Sequence, residues 1–204
     1  MNFARLKNSL TQKFVRDPAG CGRPVPAASF DREYQSGNWA HFATFGELPR
    51  TLVLAGAVNH FFPAEPSVLD LGAAAGRFAQ ALRHYPFSRY LGLDLSPAAV
   101  AQARALAMPR MEFIEGDFEI WRPVVACQAI VFNESIGYAR DPAATLAAFS
   151  RHLQPGGRFF VSLYRSGSSA AQWRRMYRAC ETVEAATVAA GGKTWDIRIL
   201  QPRA

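Results

Sequence analysis

The feature that most constrains this chain is a fivefold alternation between short apolar runs and segments with a helical pattern. The apolar runs span residues 68–71, 90–94, 111–114, 126–132 and 158–164, and they predict five strands. Two intervening helices begin with strong signals, Ser96-Pro97 and Asp141-Pro142, because the polar side chain can cap the first turn and proline is preset for it. Strands that alternate with helices predict a parallel sheet with helices on both faces.

The last part of the chain adds a hairpin to this pattern. Gly191-Gly192 separates two strand-like runs, 182–189 and 194–200, which is a hairpin signal. A tight turn can join only antiparallel strands. The predicted fold is therefore of the α/β class, a doubly wound, seven-stranded, mostly parallel sheet that is closed by a C-terminal antiparallel hairpin.

The segment ahead of the first strand is predicted to form an N-terminal leader and helical cap over residues 1–62, so that the core covers residues 63–204. Within the leader, apolar side chains at helical spacing predict a short amphipathic helix that carries Phe3, Leu6, Leu10 and Phe14. The leader is polar and basic without an apolar centre, so we do not expect a secretory signal. We interpret it as a mobile or lid-like arm, with a mitochondrial transit peptide as the weaker alternative.

Composition narrows the functional class. A chain of 204 residues fits one domain, and no apolar run reaches the roughly 18 to 20 residues that a membrane span needs. The three cysteines are odd in number and lack metal-ligand spacing, which predicts reduced thiols, no metal and a cytoplasmic location. The net charge is +7, but the Lys and Arg are scattered, so we expect a small-molecule substrate rather than nucleic acid. A monomer and a homodimer both stay open.

The residues that follow the first two strands predict a nucleoside site, because ligands of open parallel sheets bind beyond the carboxyl ends of the strands. Asp70 precedes a turn of small residues that runs from Gly72 to Gly76. Asp94 ends the second strand, 18 residues past Gly76, and its carboxylate can accept hydrogen bonds from both hydroxyls of a ribose. A turn that merely connects two elements and a helix-capping Asp are the structural alternatives.

Two further loops add polar residues at the same edge. After the third strand, Asp117 can accept from an adenine amino group, and Phe118 can pack on the face of the ring. After the fourth strand come Asn133 and Glu134. Glu134 can act as a general base or hold an ammonium group of the ligand. The alternatives are a turn Asp, a core Phe and a Glu that only caps or supports its neighbours.

Taken in order, these segments resemble the class I, Rossmann-like methyltransferases that use S-adenosylmethionine (SAM). Residues 68–76, 90–97 and 115–118 resemble three motifs of that family, and the Pro-Gly-Gly turn at 155–157 completes the set. The resemblance covers roughly residues 67–164 and extends to the hairpin. One departure is Ala74, which stands where the family often has a glycine, and it bears on the shape of the turn.

The resemblance implies SAM as cofactor, S-adenosylhomocysteine as product, and methyl transfer to a small-molecule acceptor by in-line displacement. The acceptor group can be an amine, a hydroxyl or a carboxyl. The resemblance also assigns positions: the turn residues line the methionine part, the end of the second strand takes the ribose, the 117–118 pair takes the adenine, and the 133–134 pair lies beside the sulfonium. The cofactor-binding set is Asp70, Gly72, Ala73, Gly76, Asp94, Leu95, Asp117, Phe118 and Asn133.

Residues 30–50 more loosely resemble the N-terminal cap of the small-molecule members, among them the NodS-like enzymes, which methylate an amine on a sugar. This resemblance implies that Tyr34, Trp39 and Arg50 roof the site. Arg50 is a candidate for a bidentate pair with the SAM carboxylate, and a surface helix residue is the alternative. For a general base, Glu134 is the first candidate, followed by His41 and Tyr138.

Three other functions are weighed against this one. An NAD-dependent oxidoreductase shares the glycine turn and the ribose acid, but the sequence lacks Gly-x-Gly-x-x-Gly, and Asp70 suits a cationic cofactor better than a diphosphate. A SAM-binding regulatory or partner module would not transfer the methyl group at all. Nucleic-acid methylation is disfavoured because Asn133-Glu134-Ser135-Ile136 stands where an Asn/Asp-Pro-Pro-Tyr motif is expected.

Overall fold

The strands form one seven-stranded sheet with the order β3-β2-β1-β4-β5-β7-β6. The structure, a computed structural model, describes residues 27–203. The strands are β1 (Ser67–Leu71), β2 (Arg89–Asp94), β3 (Met111–Glu115), β4 (Cys127–Asn133), β5 (Leu153–Tyr164), β6 (Cys180–Ala190) and β7 (Lys193–Pro202). The predicted leader helix over Phe3 to Phe14, and Cys21, lie outside the described residues.

The pairing of the strands confirms the predicted fold class. β1 to β5 pair in parallel, whereas β7 runs antiparallel to both β5 and β6. The chain builds outward from β1 to β3 and then crosses back to β4, which pairs with the other side of β1. The strand order therefore reverses between β1 and β4, and this is the place where open α/β sheets bind ligands.

Helices cover the sheet and cap its carboxyl edge. The α-helices are α1 (Ala27–Gln35), α2 (Leu48–Phe61), α3 (Arg77–Leu82), α4 (Pro97–Arg104), α5 (Pro142–Ser150) and α6 (Ser169–Met176), and two short 3-10 helices span Asn38–Ala43 and Ile136–Tyr138. The predicted starts of α4 and α5 are confirmed. The Ser96 hydroxyl accepts from the N–H of Ala99 at 3.2 Å, and the Asp141 carboxylate accepts from the N–H of Ala143 at 2.9 Å.

Several predicted boundaries are wrong. The sequence predicts a helix from Ser168 to about Cys180, but the helix ends at Met176, and Cys180 begins β6 because it pairs there with Pro202. The turn expected before the fifth strand belongs to β5, which already pairs with β4 at Leu153 and then shifts register. The helical cap is broken where Gly37 adopts φ +75, a conformation that a continuing helix excludes.

The core consists of two apolar layers, one on each face of the sheet. Because successive side chains of a strand point to opposite faces, Phe159 enters one layer and Phe160 the other. The first layer contains residues of α2, α3 and α4 with the hairpin, including Leu54, Val58, Phe78, Leu82, Val100 and Trp195. The second contains residues of α5 and α6, including Leu146, Phe149, Trp173 and Met176. Both faces are thus occupied, and the loops at the carboxyl edge are left to form a site.

Two expectations from composition concern the described residues directly. In the part of the chain between residues 27 and 203, no helix combines the length and apolar character of a membrane crossing. Cys127 and Cys180 are buried free thiols, and burial raises the pKa of each to about 12. Both are therefore neutral core side chains rather than reactive thiolates.

Candidate active site at the carboxyl edge of the sheet

A cavity of about 370 Å³ lies at the carboxyl ends of β1 to β4, between the sheet and the N-terminal cap. The predicted site residues that line it are Arg50, Asp70, Gly72, Ala73, Asp94, Leu95, Asp117, Phe118, Asn133, Glu134 and Tyr138. His41 and Gly76 do not line it. Asp70, Asp94 and Asp117, which are distant along the chain, therefore meet at one cavity, as the sequence predicts. Their roles in binding stay predictions.

The turn after β1 contains backbone conformations with positive φ, which are unfavourable for residues with a side chain. Gly72 has φ +82, and a Cβ atom there would lie 2.4 Å from the Cβ of Ser135, so only glycine fits. The Ser135 hydroxyl donates in turn to the carbonyl of Leu71. Ala74, which stands where the family often has a glycine, adopts φ +52 in spite of its methyl group. Gly76 is the N-cap residue just before α3 and lies against Leu106 rather than the cavity.

Asp70 is the most deeply buried acid of the site. It has no exposed surface, and its Oδ2 accepts a hydrogen bond from the hydroxyl of Tyr90 at 2.7 Å. Its Oδ1 has no hydrogen-bond partner among the described residues. Burial raises the pKa of Asp70 to about 7, and the hydrogen bond from Tyr90 partly opposes this shift. The site therefore holds a carboxyl group that a nearby cation would ionise.

Asp94 is held in a fixed orientation at the end of β2. Its Oδ2 accepts from the N–H of Ala74 at 2.8 Å, and its Oδ1 accepts from the N–H of Ser96 at 2.9 Å. Burial raises the pKa of Asp94, and the N–H groups of Ser96, Ala74 and Leu95 oppose the shift. Each carboxylate oxygen can accept more than one hydrogen bond, so the free lone pairs stay available to a ligand on the cavity side.

The loop after β3 contributes Asp117 and Phe118. The Asp117 Oδ1 accepts from the N–H of Glu119 at 2.8 Å, which stabilises the turn. The ring of Phe118 packs edge-on against Phe132 of β4, with the centroids 6.0 Å apart. Asp117 is therefore both a turn residue and a cavity residue, and the two interpretations of the sequence do not exclude each other.

Arg50 reaches the cavity from α2 and is not a surface residue, since only 3% of it is exposed. Its Nη1 donates to the Oδ1 of Asn133 at 2.9 Å and lies 3.7 Å from the Oε1 of Glu134. Its guanidinium carbon also lies 5.4 Å from the ring centroid of Trp195 and 5.8 Å from that of Phe42. Burial lowers the pKa of Arg50, and the neighbouring carboxylates oppose this shift.

Glu134 occupies a strained position directly after β4. Its backbone has φ +66, which is unfavourable for a residue with a side chain, and its N–H donates to the Ser162 hydroxyl at 3.1 Å. Its Oε2 accepts from the N–H of Tyr164 at 2.8 Å. Its Oε1 faces Arg50 and has no hydrogen-bond partner among the described residues. Burial raises the pKa of Glu134, whereas the charge of Arg50 lowers it.

An aromatic roof closes the cavity on the cap side. It consists of Phe30, Tyr34, Trp39 and Phe42, all of which line the cavity. Trp39 and Phe42 are stacked at 5.2 Å, and Phe30 meets Tyr138 of the loop after β4 edge-on at 5.2 Å. Burial, with a smaller effect of Asp94, raises the pKa of Tyr34, so its hydroxyl stays neutral. His41 packs on the ring of Phe42 at 4.3 Å, away from the cavity lining.

Three residues that support this site from behind its lining are not identified from the sequence. Asp31 of α1 accepts from the Ser96 hydroxyl at 3.0 Å and from the N–H of Ala98 at 2.9 Å, so it caps α4 beside Asp94. Glu47 pairs with Arg50 at 3.2 Å, and Lys193 pairs with Glu47. The spacing of Glu47 and Arg50 at the start of a helix is a readable signal, whereas nothing near Lys193 in sequence indicates its partner.

Comparison with protein families gives one match that spans most of the chain. The model of the methyltransferase domain family matches residues 41–187. Among curated proteins, the chain is 35% identical over 111 residues to trans-aconitate 2-methyltransferase of Acidovorax sp. (strain JS42), which covers 54% of this chain and 42% of that protein. The corresponding protein of Escherichia coli (strain K12 / DH10B) is 34% identical over 97 residues, covering 47% and 38%. The chain thus spans less than half the length of these relatives.

Solved structures with the same fold cover more of the chain at lower identity. The N-methyltransferase NodS of Bradyrhizobium japonicum WM9, in complex with S-adenosylhomocysteine, has a TM-score of 0.72 at 17% identity, with 87% of this chain and 98% of NodS covered. The glycopeptide N-methyltransferase MtfA, in complex with SAM, has a TM-score of 0.64 at 17% identity, with 75% and 94% covered. At such identities the likeness establishes the shared fold.

Proposed function

Because this chain belongs to the family of methyltransferase domains, we propose that it binds SAM in the cavity at the carboxyl edge and transfers the methyl group to a small-molecule acceptor. The observation that carries the proposal is a set of three buried polar atoms that have no hydrogen-bond partner among the described residues, Asp70 Oδ1, Glu134 Oε1 and Arg50 Nε. All three residues line the cavity. Two acceptors and one cationic donor complement the ammonium and carboxylate of an amino acid.

The other contacts proposed for the cofactor are made by residues that line the same cavity. The carboxylate of Asp94, oriented by two N–H groups, is suited to accept from the ribose hydroxyls. Asp117 and Phe118 stand next to it and are suited to the adenine amino group and ring. A dinucleotide such as NAD offers a diphosphate where SAM offers an amino acid. The buried carboxyl of Asp70 would repel a diphosphate, so these residues favour SAM.

The protein's contribution to the reaction is mainly positional. SAM, when bound, supplies a methyl group that its sulfonium already activates. The chain has to hold the acceptor in line with that methyl and exclude water, and well-oriented reactants can gain roughly 7–11 kcal/mol in this way. Asn133 is fixed for such a task, because its Oδ1 accepts from both Arg50 and the Ser162 hydroxyl at 3.0 Å. The aromatic roof lines the cavity on the side of the N-terminal cap.

Among the three base candidates, the geometry favours an electrostatic and orienting role for Glu134. One oxygen of its carboxylate accepts from the N–H of Tyr164 and the other faces Arg50. Burial raises the pKa of Glu134, and these two neighbours oppose the shift because they stabilise the carboxylate. Tyr138 lines the cavity and meets Phe30 of the roof, whereas His41 packs on Phe42 but lies outside the lining. We propose that acceptors which are nucleophilic without a strong base, such as carboxylates and neutral amines, react best.

The acceptor is proposed to be small because the cap and the sheet enclose the cavity from both sides. The named relatives differ in acceptor chemistry, since trans-aconitate is a carboxylic acid, whereas NodS is an N-methyltransferase and MtfA is a glycopeptide N-methyltransferase. A non-catalytic SAM-binding module is the competing possibility. Two exposed arginines, Arg77 and Arg140, line the cavity, but Arg140 lies 3.8 Å from the Oε2 of Glu119, which lines the cavity as well, so these charges do not select an anionic acceptor.

The test is a paired binding and turnover experiment. Isothermal titration calorimetry of the full chain with SAM and with NAD should show binding of SAM alone, and Asp94→Ala should weaken it about a hundredfold or more, since two charge-assisted hydrogen bonds are lost. Release of S-adenosylhomocysteine is then followed with panels of small carboxylic acids, amines and alcohols. Undiminished SAM affinity in the variant would refute the ribose role. SAM binding without turnover on any panel would favour the non-catalytic module.

A further inference from the structure

A series of side chains with alternating charges connects the tip of the C-terminal hairpin to the cavity. Lys193, the first residue of β7, donates to the Oε1 of Glu47, and the Oε2 of Glu47 lies 3.2 Å from the Nη2 of Arg50. Arg50 in turn faces Glu134 at 3.7 Å. The sequence positions of Glu47 and Lys193 are 146 apart, so the contact exists only in the folded protein.

The two middle residues of this series are deeply buried. Glu47 and Arg50 are each only 3% exposed, whereas the side chain of Lys193 is 42% exposed. A buried charge without a partner is strongly unfavourable, and Glu47 has a cationic partner on each of its two oxygens. Lys193 pairs with the Oε1 of Glu47, so that the Oε2 is left for Arg50. The arrangement fixes one side of the Arg50 guanidinium, while Trp195 and Phe42 contact its faces.

The hairpin turn and the segment just before α2 approach each other closely. A Cβ atom on Gly191 of the hairpin turn would lie 3.3 Å from the Cα of Gly46, the residue before Glu47. The turn of the hairpin and the turn before α2 thus approach at two glycines, where larger residues would hold them apart. The Lys193–Glu47 pair sits immediately beside this approach.

We propose that Glu47 and Lys193 are positioning residues that set Arg50 for the carboxylate of the cofactor, so that the hairpin tip determines selectivity for the amino-acid end. The inference rests on the proposed function. With its Nη1 held by Asn133 and its Nη2 held by Glu47, Arg50 presents its unpartnered Nε edge in one orientation. Without Lys193, Glu47 would attract Arg50 with both oxygens and draw the guanidinium out of that orientation.

Two ligands of the same site separate positioning from folding. S-adenosylhomocysteine carries the amino-acid end, whereas 5′-methylthioadenosine has the same adenosine and thioether but no amino-acid end. Lys193→Met should weaken binding of S-adenosylhomocysteine about tenfold, as expected for a disturbed charge-assisted contact, and change binding of 5′-methylthioadenosine less than about twofold. Lys193→Arg keeps the charge and should restore the affinity. Glu47→Gln should reproduce the selective loss.

The matched control is Arg110→Met, which removes a positive charge from the exposed ion pair with Glu65, whose atoms are 3.6 Å apart. Arg110 does not line the cavity, so both affinities should stay as in the wild type. Equal weakening of both ligands by Lys193→Met, or no weakening of either, would overturn the positioning role. If the wild type binds neither ligand, the proposed function itself is refuted, so the two failures are distinguishable.

Discussion

The hydroxyl of Tyr90 donates to the Oδ2 of Asp70 at 2.7 Å, and this hydrogen bond joins β1 to β2 directly beneath the cavity. The bond leaves Oδ1 of the same carboxyl without a partner among residues 27–203. Two neighbouring strands thus provide one acid that is oriented, buried and incompletely solvated. Such a group stabilises the empty protein poorly and a bound cation well.

The first prediction concerns the pH dependence of stability. The pKa of Asp70 is raised to about 7 in the folded state, from about 3.9 when unfolded. The folded state therefore binds more protons between these values, and this contribution to stability, complete below about pH 4, is lost as the pH rises towards 7. In Asp70→Asn this titration is absent, so the free energy of unfolding should fall less between pH 5 and 8.

Urea unfolding of both proteins at pH 5, 6, 7 and 8 measures this difference. At pH 8 the variant should be more stable than the wild type by about 1–3 kcal/mol, because a buried, incompletely paired charge is removed while the hydrogen bond from Tyr90 is kept. Parallel pH profiles for the two proteins would contradict the raised pKa. The same variant should lose affinity for SAM if Asp70 faces a cation.

The second prediction separates backbone strain from steric conflict at Gly72. Gly72→Ala has to place a methyl group at φ +82 and within 2.4 Å of the Cβ of Ser135, so it should cost more than the roughly 1–2 kcal/mol of the backbone conformation alone. Gly156→Ala is the matched control, since Gly156 has φ +78 but no atom within 4 Å of the added Cβ. Equal losses of stability in chemical denaturation would show that the Ser135 contact can relax.

The third prediction concerns the link between the cap and the ribose acid. Asp31→Ala removes the carboxylate that accepts from Ser96 and Ala98, and it should cost about 1 kcal/mol of stability as a lost helix cap. It should also weaken S-adenosylhomocysteine binding, because Ser96 directly orients Asp94. Asp141→Ala removes the cap of α5 instead and should reduce stability similarly with unchanged affinity. Identical affinities for the two variants would disprove the link.

The fourth prediction is a stabilising substitution. Ala74 has φ +52, which costs an ordinary residue roughly 1–2 kcal/mol relative to glycine. Ala74→Gly should therefore raise the thermal unfolding midpoint, although the greater freedom of glycine in the unfolded chain offsets part of the gain. The hydrogen bond from residue 74 to Asp94 uses the backbone N–H and should persist. A lower midpoint would show that the methyl group makes a favourable contact which outweighs the strain.

The architecture and the family were predictable because their signals are local. Apolar runs that alternate with helical segments, the Ser96 and Asp141 caps and the Gly191-Gly192 turn each depend on a few adjacent residues, and the seven-stranded sheet confirms them. The end of α6 and the start of β5 were predicted wrongly for the opposite reason. Pairing with β7 brings Cys180 into a strand, and pairing with β4 draws Leu153 into one.

The sequence by itself determined the order of strands and helices, the turn after β1 and the acids that end β1 and β2, because a strand periodicity or a positive φ is a property of neighbouring residues. Only the tertiary structure decided how Arg50 is used. The residues that contact it, Glu47, Glu134 and Trp195, come from the cap, a loop and the hairpin, and Lys193 of the hairpin reaches it through Glu47. Buried charges pair with groups that lie close to them in the folded protein, and the spacing of residues along the sequence does not show which groups these are.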